Sequence, residues 1–126
     1  MNLEKVVFGF FIVLAMTLNF GFFIGDMSDP QWHHPYELFA AIVVNLIATV
    51  LKFGDRTQIG AIHLSTSLVA DLQLIIAAVV WAAHGSLGGD IPVHLMVSIV
   101  SLSGGAFLAN VTSVILLIIE TIMLRR

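Results

Sequence analysis

Three strongly polar residues lie in the middle of long apolar stretches of this sequence. Asp71 is in the third stretch, Asn45 in the second and Asn110 in the fourth. A carboxylate at the centre of a bilayer costs about 2.5–3.5 kcal/mol on insertion scales, so it requires a partner, a proton, a cation or water. Carboxamide and carboxylate oxygens suit a dehydrated alkali cation or a proton relay. We therefore predict an ion or proton pathway at these residues. The alternative for the asparagines is interhelical hydrogen bonding, at about 0.6 kcal/mol per bond.

A second pattern extends from Asp71 along its own stretch. His63, Ser67 and Asp71 recur at every fourth position, which places them on one helical face. One interpretation is a polar wall of an aqueous path, and the other is a packing seam in which Ser67 bonds back to its own helix. Gln73 lies two positions further on and points towards another helix or another subunit. We include His63, Ser67 and Gln73 in the predicted pathway.

Small residues form a stripe along the fourth apolar stretch, spaced three or four positions apart. Such a stripe lets two helices approach closely, so it predicts helix packing within the chain or between copies of it. A pore wall is the alternative. The residues are Ser98, Ser101, Gly105, Ala109 and Thr112.

Histidines cluster near the ends of the apolar stretches. His33, His34, His84 and His94 share one predicted side with four acidic residues. Imidazole suits zinc, copper or haem iron, but the spacing matches no tight metal motif. We predict neither a metal site nor a cofactor. We attribute the acidic surface to the exclusion of lysine and arginine from that side.

Composition places the chain in a membrane. Apolar residues make up 59% of the 126 residues and charged residues only 10%, with a mean hydropathy of +1.03; a soluble domain carries about 25% charged residues. The length fits a single domain, residues 1–126. The absence of cysteine excludes disulfides and iron–sulfur clusters. The sequence has no run of basic residues of the kind that would indicate nucleic-acid binding.

Four spans are predicted, and together they define a topology. An all-α membrane protein is expected, with an antiparallel bundle of four transmembrane helices at about 6–25, 36–53, 59–84 and 92–124. All five basic residues then fall on one side, which the positive-inside rule makes cytoplasmic. Both termini are predicted to be cytoplasmic. The first stretch is longer than a signal-peptide core and is interpreted as a retained helix.

Two segments carry a resemblance to a known group. They read NLIATVLKFGDRTQIGAIHLSTSLVADLQL and SIVSLSGGAFLANVTSV. The chain resembles, over nearly its whole length, a family of small four-span bacterial inner-membrane proteins of unknown function. The resemblance implies a bacterial membrane protein with four spans, and it implies no activity, cofactor or site.

The leading functional prediction is a cation channel or transporter formed by a homo-oligomer in the inner membrane, with Asp71 as its ion or proton site. No filter sequence of the TVGYG type is present, so a standard pore-loop channel is not supported. The alternative is a non-catalytic accessory subunit of a larger membrane transport complex, docked within the bilayer. An enzyme is not predicted, because it would need bound haem, quinone or metal.

Overall fold

Four long helices make up the chain in the computed structural model, which describes residues 3–24, 35–54, 57–85 and 92–124. The helices are α1 (Leu3–Phe23), α2 (Pro35–Lys52), α3 (Gln58–Gly85) and α4 (Val93–Leu124). Each begins and ends within three residues of its predicted span. The all-helical architecture with four helices is therefore confirmed.

Three of the described helices, α1, α3 and α4, are long and apolar enough to cross a membrane. The 18-residue α2 carries Glu37 in its first turn and Lys52 in its last.

Local contacts explain where α3 and α4 begin. The Thr57 hydroxyl oxygen accepts a hydrogen bond from the Gly60 backbone N–H at 2.9 Å. This is the N-cap arrangement that satisfies one of the unpaired donors of a first turn. At α4, the Pro92 carbonyl accepts from the backbone N–H groups of Leu95 and Met96, both at 3.0 Å.

The helices form a ring in which α1 contacts α2 and α4, and α3 contacts the same two. Lys5 at the start of α1 forms an ion pair with Glu120 near the end of α4, so these two helices are antiparallel. The Phe8 ring lies 5.0 Å from the His63 ring near the start of α3, so α1 and α3 run in the same direction. We call the end that holds Lys5, His63 and Glu120 the terminal end, and the opposite end the far end.

Two apolar clusters occupy the core. The larger one, the far-end cluster, fills the bundle from its middle to the far end. It contains Phe22, Leu38, Ala41, Ala70, Leu74, Ala77, Met96, Ile99, Val100 and Ala106. The smaller, terminal cluster contains Phe8, Ile12 and Ala48.

The outer surface of the bundle is also apolar. Phe10, Val50, Leu72 and Leu108 are among many large apolar side chains that are more than half exposed. A helix of a soluble bundle would carry polar residues on this face. The distribution, apolar outside and partly polar inside, is that of a protein embedded in a bilayer.

Candidate ion or proton site

Buried polar side chains form a row through the core, and all four helices contribute to it. The row extends from the terminal end to just beyond the middle of the bundle, where the far-end cluster takes over. Its members are Asn19, Asn45, Thr49, Lys52, His63, Ser67, Asp71, Ser103, Asn110, Ser113 and Glu120. All predicted pathway residues except Gln73 belong to it, so the helices direct them inward and away from lipid.

Three asparagines form a ladder of hydrogen bonds across the bundle. Asn19 Nδ2 donates to Asn110 Oδ1 at 2.5 Å, and Asn110 Nδ2 donates to Asn45 Oδ1 at 2.9 Å. Asn45 Nδ2 donates to the Ala41 carbonyl of its own helix at 2.7 Å. The ladder thus joins α1, α4 and α2. This is the interhelical bonding that was the alternative interpretation of the asparagines.

Asp71 is linked to this ladder by a threonine. Thr49 Oγ1 lies 2.5 Å from Asp71 Oδ2 and 2.9 Å from the Asn45 backbone carbonyl oxygen. The Asp71 side chain is only 6% exposed. It forms no ion pair with another described residue, and within the described part of the chain its Oδ1 has no hydrogen-bonding partner. A buried carboxyl group with one uncommitted oxygen is the chemically most unusual feature of the core.

Towards the terminal end, the row continues through His63 and the hydroxyl groups of Ser113 and Ser67. His63 Nδ1 lies 2.8 Å from Ser113 Oγ, which in turn lies 3.0 Å from Thr66 Oγ1. Ser67, between His63 and Asp71 on the predicted face, is 1% exposed. Its hydroxyl has no hydrogen-bonding partner among the described residues.

The back-bonding expected of Ser67 in the packing-seam interpretation is therefore wrong. The neighbouring Thr66 bonds to its own helix instead, because its Oγ1 lies 2.9 Å from the His63 carbonyl. The predicted shared face of His63, Ser67 and Asp71 is present, since all three are buried in the core.

Gln73 is separate from this row and contacts α4. A Cβ atom on Gly105 would lie 2.7 Å from both Gln73 Nε2 and Gln73 Oε1, so the carboxamide rests directly on the Gly105 backbone. Gln73 therefore faces another helix of the same chain, which is one of the two positions predicted for it.

The small-residue stripe of α4 lies along the rim of the bundle. Ser98, Ser101 and Thr112 are exposed, whereas Gly105 and Ala109 are half-buried. An open groove of about 500 Å³ adjoins Ser101 and Gly105. Packing within the chain is thus present at Gly105, and packing between copies stays a prediction.

Sequence reasoning missed Thr49, Ser113 and Lys52 as members of the row. Thr49 follows Asn45 by four positions, and Lys52 follows Thr49 by three, so one face of α2 carries all three. The Lys52 ammonium lies 4.3 Å from the centre of the Phe8 ring, a cation–π contact that accommodates a lysine that is 7% exposed.

The histidines do not form a metal site within the described helices. No group of three or more histidine, aspartate or glutamate residues there is placed to hold an ion. His84 Nδ1 lies 2.9 Å from the Val80 carbonyl of its own helix, and His94 is exposed. His33 and His34 lie outside the described residues.

Comparison with known proteins identifies the family. No curated protein and no solved structure matches the chain. The model of a family of unknown function (DUF6394) matches residues 32–121, which include α2, α3 and most of α4. Asp71, Thr49 and two of the three ladder asparagines lie within the matched region. Because the match covers well over half of the sequence, the chain belongs to this family of unknown function, DUF6394.

Proposed function

We propose that this is a bacterial inner-membrane protein with four spans and both termini in the cytoplasm. The direction of the helices supports the fourth span. If α1 and α3 both cross the bilayer in the same direction, the chain between them must return across it, and α2 is the helix that does so. Lys5 and Lys52 lie at the terminal end, and the positive-inside rule assigns such an end to the cytoplasm.

The function that the site supports best is a pathway for protons or monovalent cations, with Asp71 as the ion-binding group. The burial of Asp71 without an ion-pair partner in the described chain carries this proposal. An ionisable residue inside a membrane is expensive and by default indicates a functional site, such as an ion pathway or a proton relay. The buried row on its terminal side, formed by Ser67, His63 and Ser113, provides polar groups that lead to the site.

A homo-oligomer is the assembly proposed for this pathway. The polar row of one copy ends against the far-end cluster, so a complete crossing needs a conformational change or a route between copies. The exposed members of the α4 stripe, Ser98, Ser101 and Thr112, offer a surface on which two helices approach closely. Symmetric assembly is the usual outcome for such contacts.

The test is ion flux in liposomes containing the purified protein, measured separately for H⁺, K⁺ and Na⁺. We expect flux through the wild type and its loss in Asp71→Asn, which keeps the shape of the side chain. Glu4→Gln is the matched control, because Glu4 is an exposed carboxylate in the first turn of α1. Unchanged flux in Asp71→Asn would remove Asp71 from the mechanism.

The second candidate function is a non-catalytic accessory subunit of a larger membrane complex. One observation favours an accessory subunit: the polar row stops at the apolar far-end cluster. A polar row that does not cross the whole bundle can serve to hold the helices together by hydrogen bonds. A folded wild type that conducts no ion, and that co-purifies with a stoichiometric unrelated membrane protein, would establish this role in place of the pathway.

A further inference from the structure

We propose that the ion bound at Asp71 is a proton, held on a neutral carboxyl group and exchanged with the terminal end of the bundle. This inference rests on the proposed function, because it names the ion of that same site. It is carried by the hydrogen-bonding geometry around Thr49.

Thr49 has a single hydroxyl proton, yet its Oγ1 lies close to two oxygens. The Asn45 carbonyl, at 2.9 Å, carries no proton and only accepts. If Thr49 donates to that carbonyl, the 2.5 Å contact with Asp71 Oδ2 requires a proton from the carboxyl group. Both hydrogen bonds therefore form together only when Asp71 is neutral and donates to Thr49. An ionised Asp71 would compete with the Asn45 carbonyl for one proton.

The charged and titratable groups on the four helices agree with a neutral carboxyl. On α2, Lys52 lies one turn beyond Thr49 towards the terminal end, with its ammonium over the Phe8 ring. On α3, His63 is two turns from Asp71 and contacts Ser113. Lys5 of α1 and Glu120 of α4 pair with each other at the terminal end. In the described part of the bundle, none of these groups forms an ion pair with Asp71.

The ladder argues against an alkali cation at the same place. A dehydrated cation needs several oxygens that replace its hydration shell. The Oδ1 atoms of Asn110 and Asn45 already accept amide N–H groups. The uncommitted buried oxygens adjoining the carboxyl along α3 are Asp71 Oδ1 and Ser67 Oγ. The third ladder oxygen, Asn19 Oδ1, is also uncommitted, but it lies on α1, two hydrogen bonds along the ladder from Asn45. The two oxygens along α3 suit the exchange of a proton and make a poor cage for a metal ion.

The position of these oxygens gives the direction of exchange. Ser67 lies one turn from Asp71 towards the terminal end, and it is followed by His63 and Ser113. On the other side of Asp71, Leu74 and Ala77 belong to the far-end cluster and are fully buried. In this conformation, a proton therefore reaches Asp71 from the terminal end.

The experiment is infrared spectroscopy of the protein in lipid at neutral pH, because a protonated carboxyl has a carbonyl stretching band that a carboxylate lacks. We expect such a band in the wild type and its loss in Asp71→Asn. Thr49→Val should shift the band to higher frequency, because the acid loses its acceptor. Thr17→Val is the matched control, since Thr17 is exposed and bonds only to its own helix, and it should leave the band unchanged.

A wild type with no Asp71 acid band would overturn the inference. If the variants do not fold, carboxyl ¹³C NMR of aspartate-labelled wild type gives the same answer. Asp71 is the only one of the five aspartates that does not lie in a predicted connection, so a single acid signal is expected. The flux assay distinguishes the two proposals. An acid band without any flux contradicts the pathway alone, and K⁺ or Na⁺ flux without an acid band contradicts the proton alone.

Discussion

The asparagine ladder allows a quantitative prediction, because its central residue forms a hydrogen bond with each of the other two asparagines. Asn110 is 1% exposed, accepts from Asn19 and donates to Asn45. Substitution by leucine, a residue of comparable size, removes both interhelical bonds. It also leaves Asn19 Nδ2 and Asn45 Oδ1 buried without these partners.

The expected cost follows from these two losses. Interhelical hydrogen bonds in membrane proteins contribute about 0.6 kcal/mol on average, so two account for about 1.2 kcal/mol. A buried polar group left without a partner costs about 1–3 kcal/mol, but the unfolded chain in a membrane also finds partners, which reduces the penalty. We therefore expect Asn110→Leu to lower the free energy of unfolding by about 1–4 kcal/mol.

The measurement is reversible unfolding in bicelles, followed by helical circular dichroism. A double-mutant cycle with Asn45→Leu isolates the pair, because each single variant leaves one unpaired partner of the Asn45–Asn110 bond and the double variant leaves none. The double variant should be less destabilised than the sum of the two single variants. Additivity within about 0.3 kcal/mol would refute the ladder as an energetic unit. Thr17→Val, outside the ladder, should stay within about 0.5 kcal/mol of the wild type.

Two further predictions concern packing and the terminal part of the row. Gly104→Ala should destabilise the bundle by about 1–3 kcal/mol, because its new Cβ would lie 2.6 Å from the Phe23 ring. Gly54→Ala is the control in the same unfolding assay, because its new Cβ would meet no atom of the described residues within 4 Å. Equal effects of the two substitutions would contradict the close packing at Gly104. Ser113→Ala should lower the free energy of unfolding by about 1 kcal/mol, because it removes the contact with His63 Nδ1. If the ring-nitrogen chemical shifts of His63 in this variant match those of the wild type, that contact is contradicted.

The helices were predictable because membrane helices depend on a simple physical constraint. Inside a bilayer the backbone must satisfy its own hydrogen bonds, so a run of about 20 apolar residues is almost always a helix. The same constraint made the polar exceptions visible. Asn45, Asp71 and Asn110 interrupt apolar runs, and the structure buries all three in the core.

The hydrogen-bonding partners of the buried polar residues could not be predicted from the sequence of each span taken alone. Threonine and serine are common in membrane helices and often bond to their own backbone, so neither Thr49 nor Ser113 stands out in the sequence. Recognising Thr49 requires the pairing of α2 with α3, and recognising Ser113 requires the pairing of α3 with α4. The wrong expectation of back-bonding at Ser67 has the same origin, since helical periodicity gives the face of a side chain and not the atoms opposite it.

The structure also separates residues to which the sequence assigned one role. In the ladder, Asn19 of α1 donates an amide N–H to Asn110 of α4, and Asn110 donates one to Asn45 of α2. Asn45 donates in turn to the Ala41 carbonyl of its own helix. The amide oxygens of Asn110 and Asn45 are therefore used within the bundle. Asp71 is different, because it is ionisable and one of its oxygens has no partner in the described chain. Asn19 Oδ1 has no partner there either, but an amide neither binds nor releases a proton in this way. The ladder therefore fixes α2 in the bundle, and this in turn holds Thr49 against the carboxyl. In this arrangement the asparagines position the site, and Asp71 is the group to which we assign ion exchange in the proposed function.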